Sequence, residues 1–172
     1  MGTELDVLFT DSCARRLTQY CSRISQCLDH LDNEQIWARG SENENAIGNL
    51  LLHLAGNVRQ WILSGVGGRP DVRVRDREFS ARGGIDKADL MERLQTTVED
   101  AALVIRTLRS GRLGQQVTIQ NYQVTVLEAV LHVVEHFAMH TGQIIYATKM
   151  LTHADLGFYR HLSQPSHQEK IP

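Results

Sequence analysis

Between Ala46 and Leu63 the chain is apolar on nearly every side, carrying Ile47, Leu50, Leu51, Leu52, Leu54, Val58, Trp61, Ile62 and Leu63. An amphipathic helix needs cover along one stripe, whereas a helix apolar around most of its circumference must be covered from several directions. Other helices are available to do this. Leu17, Tyr20, Cys21, Ile24, Leu28 and Leu31 recur at steps of three and four, predicting a first helix from about Thr3 to Leu31. Ser41-Glu-Asn-Glu44 reads as a capping box ahead of the second helix, and Asp86 is placed to cap a third that reaches about Leu108. Its inner stripe is Leu90, Leu94, Ala101, Ile105 and Leu108. Thr125-Val-Leu-Glu128 is a second capping box, opening a fourth helix to about Met150. The expected fold is all-α, a four-helix bundle.

The second and third helices are joined by a glycine- and charge-rich segment from Gly65 to Gly84, too long for the turn between antiparallel neighbours. A crossover of this length lets successive helices lie parallel. Its Gly65-Val-Gly-Gly start lacks the following Lys-Ser or Lys-Thr and the preceding strand of a phosphate-binding loop. Gln116–Ile119 and Tyr122–Thr125 alternate around Gln120-Asn121 like the arms of a small hairpin. The bundle is expected to occupy residues 1–162, with 163–172 a polar, flexible tail.

With 172 residues, 42% of them hydrophobic, and a formal net charge of -2, the chain is long enough for one domain with a real core, and its charge balance does not favour nucleic acid. No apolar stretch is long enough to span a bilayer, and the N-terminus lacks the basic and apolar regions of a leader, so a cytoplasmic protein is expected. Cys13, Cys21 and Cys27 are odd in number and share one predicted helix, which makes them free packing thiols rather than a disulfide framework. A four-helix monomer covers only part of so apolar a second helix, which predicts a homodimer.

The chemistry gathers in His132-Val-Val-Glu-His136-Phe-Ala-Met-His140-Thr-Gly-Gln143. Side chains at i and i+4 stack on one helix face, so two of these rings can point at a single ion. Burying imidazoles among Val, Phe, Met and Ile is costly unless their lone pairs are used, and a divalent metal uses them. By spacing alone, His132 with His136 and His136 with His140 are equally good pairs. A third ligand should come from a facing helix, and His53 is the one histidine of the apolar second helix. Asn57, one turn past His53, and Gln143, three residues past His140, could line the pocket. The crossover holds Arg69, Arg73, Arg75, Arg77 and Arg82 against Asp71, Asp76 and Glu78. These read as a solvated loop, or as a source of one or two arginines that reach the cleft and hold a cofactor carboxylate.

Asn49-Leu-Leu-Leu-His53-Leu-Ala-Gly-Asn-Val-Arg-Gln-Trp61, His136-x-x-x-His140-x-Gly-Gln143 and Gly157-Phe-Tyr159, in that order and separated by a long crossover, resemble the DinB/YfiT-like superfamily over nearly the whole chain. The resemblance implies a bundle in up-down-down-up order, frequent homodimers, and a divalent metal held by His53, His136 and His140, leaving His132 outside the ligand set. Some relatives carry an acidic residue where this chain has Asn57. Members of known activity include transferases that couple a low-molecular-weight thiol to an electrophile. The implied function is therefore a metal-dependent thiol S-transferase, with a metallohydrolase or a non-catalytic, metal-stabilised bundle as alternatives. Imidazole suits zinc, nickel, iron and copper alike, and the expected ion is zinc or nickel, with iron or manganese as further candidates.

Overall fold

Four long helices form where the sequence carries its three- and four-residue steps, and the computed structural model describes residues 4–109 and 111–163. Helix α1 spans Glu4–Asp29 and turns Cys13, Ala14, Leu17, Cys21, Ile24 and Leu28 inward. Helix α2 spans Ile47–Val58 and runs on as a π-helix over Arg59–Val66. A short helix α3, Arg75–Ser80, interrupts the crossover, and α4 spans Lys87–Arg106. Strands β1, Gln116–Ile119, and β2, Tyr122–Thr125, pair antiparallel before α5, Val126–Thr152. Helix α1 packs on α4 and α5, and α2 packs on the same two helices. None of the described helices is long and apolar enough to cross a membrane.

The hairpin and the last helix follow the sequence expectations closely. Gln120 and Asn121 both take positive φ, 51° and 65°, as a two-residue turn between twisted strands requires. Thr125 Oγ1 accepts from the Glu128 N–H at 3.2 Å while Glu128 Oε2 accepts from the Thr125 N–H at 2.7 Å, closing the capping box. Helix α5 passes Met150 to end at Thr152, capped by His153, which takes the left-handed conformation with φ 54°.

Other expectations need correction. Ser41–Glu44 caps no helix: Glu44 Oε2 accepts from the Gly40 N–H at 2.7 Å, closing a turn, and α2 begins only at Ile47. There Asn49 Oδ1 accepts from the Ala46 N–H at 3.1 Å, and Asn49 Nδ2 donates to Glu78 O and Ala81 O, pinning the crossover to the start of α2. Asp86 stands at the N-terminus of α4, but its carboxylate accepts from Asn33 Nδ2 instead of the helix. Asn33 Oδ1 takes the Lys87 N–H at 2.8 Å, and Lys87 Nζ donates to the Leu28 and Leu31 carbonyls, so the turn that follows α1 supplies the cap of α4. The crossover is not wholly irregular, since α3 lies in its middle. Of the expected tail, residues 164–172 lie outside the described residues.

The three cysteines are free and buried, and burial pushes their thiols up to about 11 for Cys13 and Cys27 and about 12 for Cys21, as packing residues should be. The apolar circumference of α2 does not ask for a second subunit either. Every large apolar side chain from Ile47 to Val66 is buried within the single chain. The hairpin covers the π-helix so closely that a Cβ on Gly65 would lie 2.4 Å from Ile119 Cδ1. The exposed apolar stripe belongs to α5 instead, in Leu131, Met139, Tyr146 and Met150.

Candidate metal centre

His53 sits on the buried face of α2, 6% exposed, opposite His136 and His140 of α5. The Nε2 atoms of His53 and His136 are 3.0 Å apart, and those of His136 and His140 are 3.2 Å apart. One nitrogen from each ring lies within 4.8 Å of the others, so the three histidines could hold a metal ion.

The outer edges of two rings are occupied. His53 Nδ1 is 2.9 Å from Glu78 Oε2, and His140 Nδ1 is 2.6 Å from Gln143 Oε1. A carboxylate and an amide oxygen only accept, so both Nδ1 atoms carry a proton, and in the neutral ring Nε2 is then the atom with a free lone pair. Arg73 Nη2 also lies 3.2 Å from His53 Nδ1, but it has a closer acceptor in Glu78 Oε2 at 2.8 Å. Nδ1 of His136 is buried with no partner among the described residues, which leaves Nε2 as the working atom of that ring.

Lone pairs gathered this closely repel one another unless a cation sits between them. Bonds of about 2.0–2.1 Å to one tetrahedral ion put ligand nitrogens roughly 3.3 Å apart, close to the two separations seen here. The residues fit a divalent ion. Two of the rings, His136 and His140, are also held toward the neutral form. Burial, then the charges of His140, His53, His132 and Arg73, hold His136 down to about 3. Burial lowers His140 as well, opposed by its bond to Gln143.

Behind His53 lies a support that the sequence did not disclose as such. Arg73 Nε donates to Glu78 Oε1 at 2.7 Å while Arg73 Nη2 donates to Oε2, a two-point pair with both side chains under 10% exposed. Burial pushes the Glu78 carboxyl up, but the bonds from Arg73 and His53 outweigh it and hold the group below the usual carboxylate range. The pair also fits against α2 because residue 56 is glycine. An isolated glycine in an apolar helix, three residues past His53, was the sequence signal for a close approach there. Phe79 packs on the His53 ring at 4.7 Å between centroids, and the Arg75 guanidinium lies over Phe79 at the same distance.

The remaining candidates fall outside the cluster. His132 stacks on Trp61 at 4.1 Å, 5.7 Å from the His136 ring centre, and burial lowers its pKa against the pull of Glu135. Asn57 is 5% exposed with Oδ1 lacking a partner among the described residues. Gln143 is the only one of the three whose side chain is bonded to a cluster histidine. Of the crossover arginines, Arg73 does reach the site but spends its charge on Glu78. Arg69 pairs with Asp100 at 2.5 Å, Arg82 faces Glu42 at 3.8 Å, and Arg77 has no ion pair among the described residues.

Four main helices packed together with a small hairpin make a DinB-like fold, which here carries three histidines that could hold a metal. The chain belongs to DUF1572, a family of proteins of unknown function whose model matches residues 5–168. A crystal structure of a conserved protein from Enterococcus faecalis superposes with a TM-score of 0.72 at 14% identity, covering 90% of this chain and 99% of that one. A DinB-like protein, YjoA, from Bacillus subtilis superposes with a TM-score of 0.65 at 14% identity, covering 86% and 97%. At that identity the likeness shows the fold alone. No curated protein matches the chain.

Proposed function

We propose that this protein is a divalent-metal-dependent thiol S-transferase, with His53, His136 and His140 as the ligands and zinc or nickel as the ion. The observation that carries the reading is the convergence of three Nε2 atoms, two of them fixed as bare lone pairs by Glu78 and Gln143. Such an ion supplies a Lewis acid that lowers the pKa of a thiol at an open position, making a nucleophile at neutral pH. Three protein ligands leave a position open, as in other catalytic sites of this kind.

The protein's own part is orientation. Arg73 and Glu78 keep His53 in one tautomer, and Gln143 does the same for His140. His136 and His140 are only partly buried, which leaves the cluster open to a small substrate. In the transfer the thiol sulfur forms a bond to the electrophilic carbon, the leaving group departs with its electron pair, and the thiol proton passes to solvent.

The same reading includes an up-down-down-up helix order and a homodimer. The order is supported by contacts along the helices. Lys87 meets Leu28 and Arg106 faces Asp11, while His53 meets His136 and Trp61 meets His132. Both α1 with α4 and α2 with α5 are then antiparallel. The dimer is supported by the exposed stripe of α5.

The test is conjugation of a panel of thiols to 1-chloro-2,4-dinitrobenzene by protein reconstituted with zinc or nickel, with product measured by chromatography. Thiol-dependent product that disappears on chelation and in His53→Ala is expected. Product formation no faster than in the variant, for every thiol, would sink the assignment.

A further inference from the structure

A cleft of about 740 Å³ borders the Arg73–Glu78 pair but is lined by none of the three histidines. It lies between α2, the crossover and α4, and its volume suits a small organic molecule. Leu52, Ala55 and Ile85 give it an apolar lining. At the same cleft Val72 and Val74 leave 63% and 52% of their surface to solvent, an unusual position for two β-branched apolar side chains.

The charged lining is what gives the cleft its specificity. The second helix and the crossover contribute Arg59 and Arg77, and α4 contributes Asp89 and Glu92. None of these four makes an ion pair or side-chain hydrogen bond among the described residues, although both signs line one cavity. Each guanidinium thus stands more than 4.0 Å from each carboxylate. Solvated surface charges are ordinary, and singly they indicate nothing. Here, opposite charges from different elements line one cavity together with apolar side chains, and none of the four has a partner within salt-bridge distance among the described residues. The Arg73–Glu78 pair is already closed and adds no net charge, and Arg93 brings one further guanidinium from α4.

We propose that this cleft binds a small zwitterion of amino-acid or short-peptide type. Its carboxylate would meet Arg59 and Arg77, its ammonium Asp89 and Glu92, and its aliphatic part Leu52, Ala55 and Ile85. A guanidinium recognises a carboxylate through paired N–H groups, and a carboxylate accepts from an ammonium, so each end of the ligand has a matched partner. A simple anion would leave Asp89 and Glu92 unanswered, and a simple cation would leave the arginines so. The site is separate from the metal centre and stands whether or not the thiol chemistry does.

Calorimetry on the full chain in the presence of a chelator, which keeps metal out of the measurement, tests this with three related probes. Leucyl-leucine carries both charges, N-acetyl-leucyl-leucine only the negative one, and leucyl-leucine amide only the positive one. The zwitterion should bind with one site per chain, and each blocked form at least tenfold more weakly. Asp89→Asn with Glu92→Gln should weaken leucyl-leucine at least tenfold while leaving the acetylated probe unchanged, and Arg59→Gln with Arg77→Gln should do so while leaving the amide unchanged. His136→Ala should bind leucyl-leucine as the native chain does. All four replaced side chains of the double variants are exposed or half-buried, and a native circular dichroism spectrum confirms that each variant is folded. No binding of leucyl-leucine at millimolar concentration, equal binding of the three probes, or loss of binding in His136→Ala would each overturn the proposal.

Discussion

A Cβ on Gly56 would lie 2.0 Å from Oε1 of Glu78, so the carboxylate that holds His53 can occupy its place only because α2 has no side chain there. The same Cβ would lie 3.0 Å from Arg73 Nε. In an exposed helix interior, Gly→Ala stabilises by about 1 kcal/mol. At this position the sign should reverse. Gly56→Ala is expected to lower the melting temperature and, by displacing Glu78 from His53, to weaken zinc binding about 10–100-fold. Competition with a chromophoric chelator measures the affinity. A variant that binds zinc like the native chain would show that Glu78 does not orient the ligand.

The two histidine registers that spacing left open are separable by mutation. His136 has two Nε2 neighbours within hydrogen-bonding distance, whereas His132 lies against Trp61. His136→Ala should abolish stoichiometric zinc binding, and His132→Ala should retain it while losing some stability from the Trp61 contact. Equal metal loss in both variants, measured by elemental analysis after dialysis, would contradict the assignment.

Acid should destabilise the metal-free protein in a defined window. Folding lowers the His136 pKa from 6.5 to about 3, chiefly by burial. Above 6.5 the ring is neutral in both states. Between these values the unfolded chain takes up a proton that the folded chain refuses, so stability falls as pH falls. At 1.36 kcal/mol per unit the ceiling is about 5 kcal/mol, and partial exposure of the ring reduces it to a few kcal/mol. Urea unfolding with chelator at pH 7.5 and 5.0 should show the loss, and His136→Leu should flatten it. An unchanged slope in that variant would assign the effect elsewhere.

Much of this was legible in the sequence because it rests on local signals. Helical period placed the four long helices, Gln120-Asn121 placed the hairpin turn, and Thr125 with Glu128 placed the start of α5. His53 could be singled out because an imidazole in so apolar a helix must find a partner. What was not legible depends on contacts between distant segments. Glu78 reaches His53 across 25 positions, and Asn33 caps a helix 54 positions away. No periodicity encodes either contact. The Ser41–Glu44 signature was misleading for a related reason: the hydrogen bonds that close a capping box also close a turn, and only the path of the next residues distinguishes them.

The basis for a dimer moved from α2 to α5, and with it the mutation that tests it. Met139, Gly142, Tyr146 and Met150 follow one another at steps of three and four, and Leu131 lies two turns before Met139, so they share a face of α5. The four large side chains among them are 40%, 55%, 68% and 59% exposed, and nothing lies within 4 Å of a Cβ built on Gly142. Two copies of this face related by a two-fold axis would cross near Met139 and Gly142, where the missing side chain lets the helices approach. Met139→Glu puts a buried, unpaired charge at the crossing and should convert the protein to a monomer in sedimentation equilibrium at micromolar concentration. Zinc content should stay at one per chain, because Met139 is outside the three-histidine cluster. A native chain that sediments as a monomer, or a Met139→Glu variant that remains dimeric, would remove α5 as the interface.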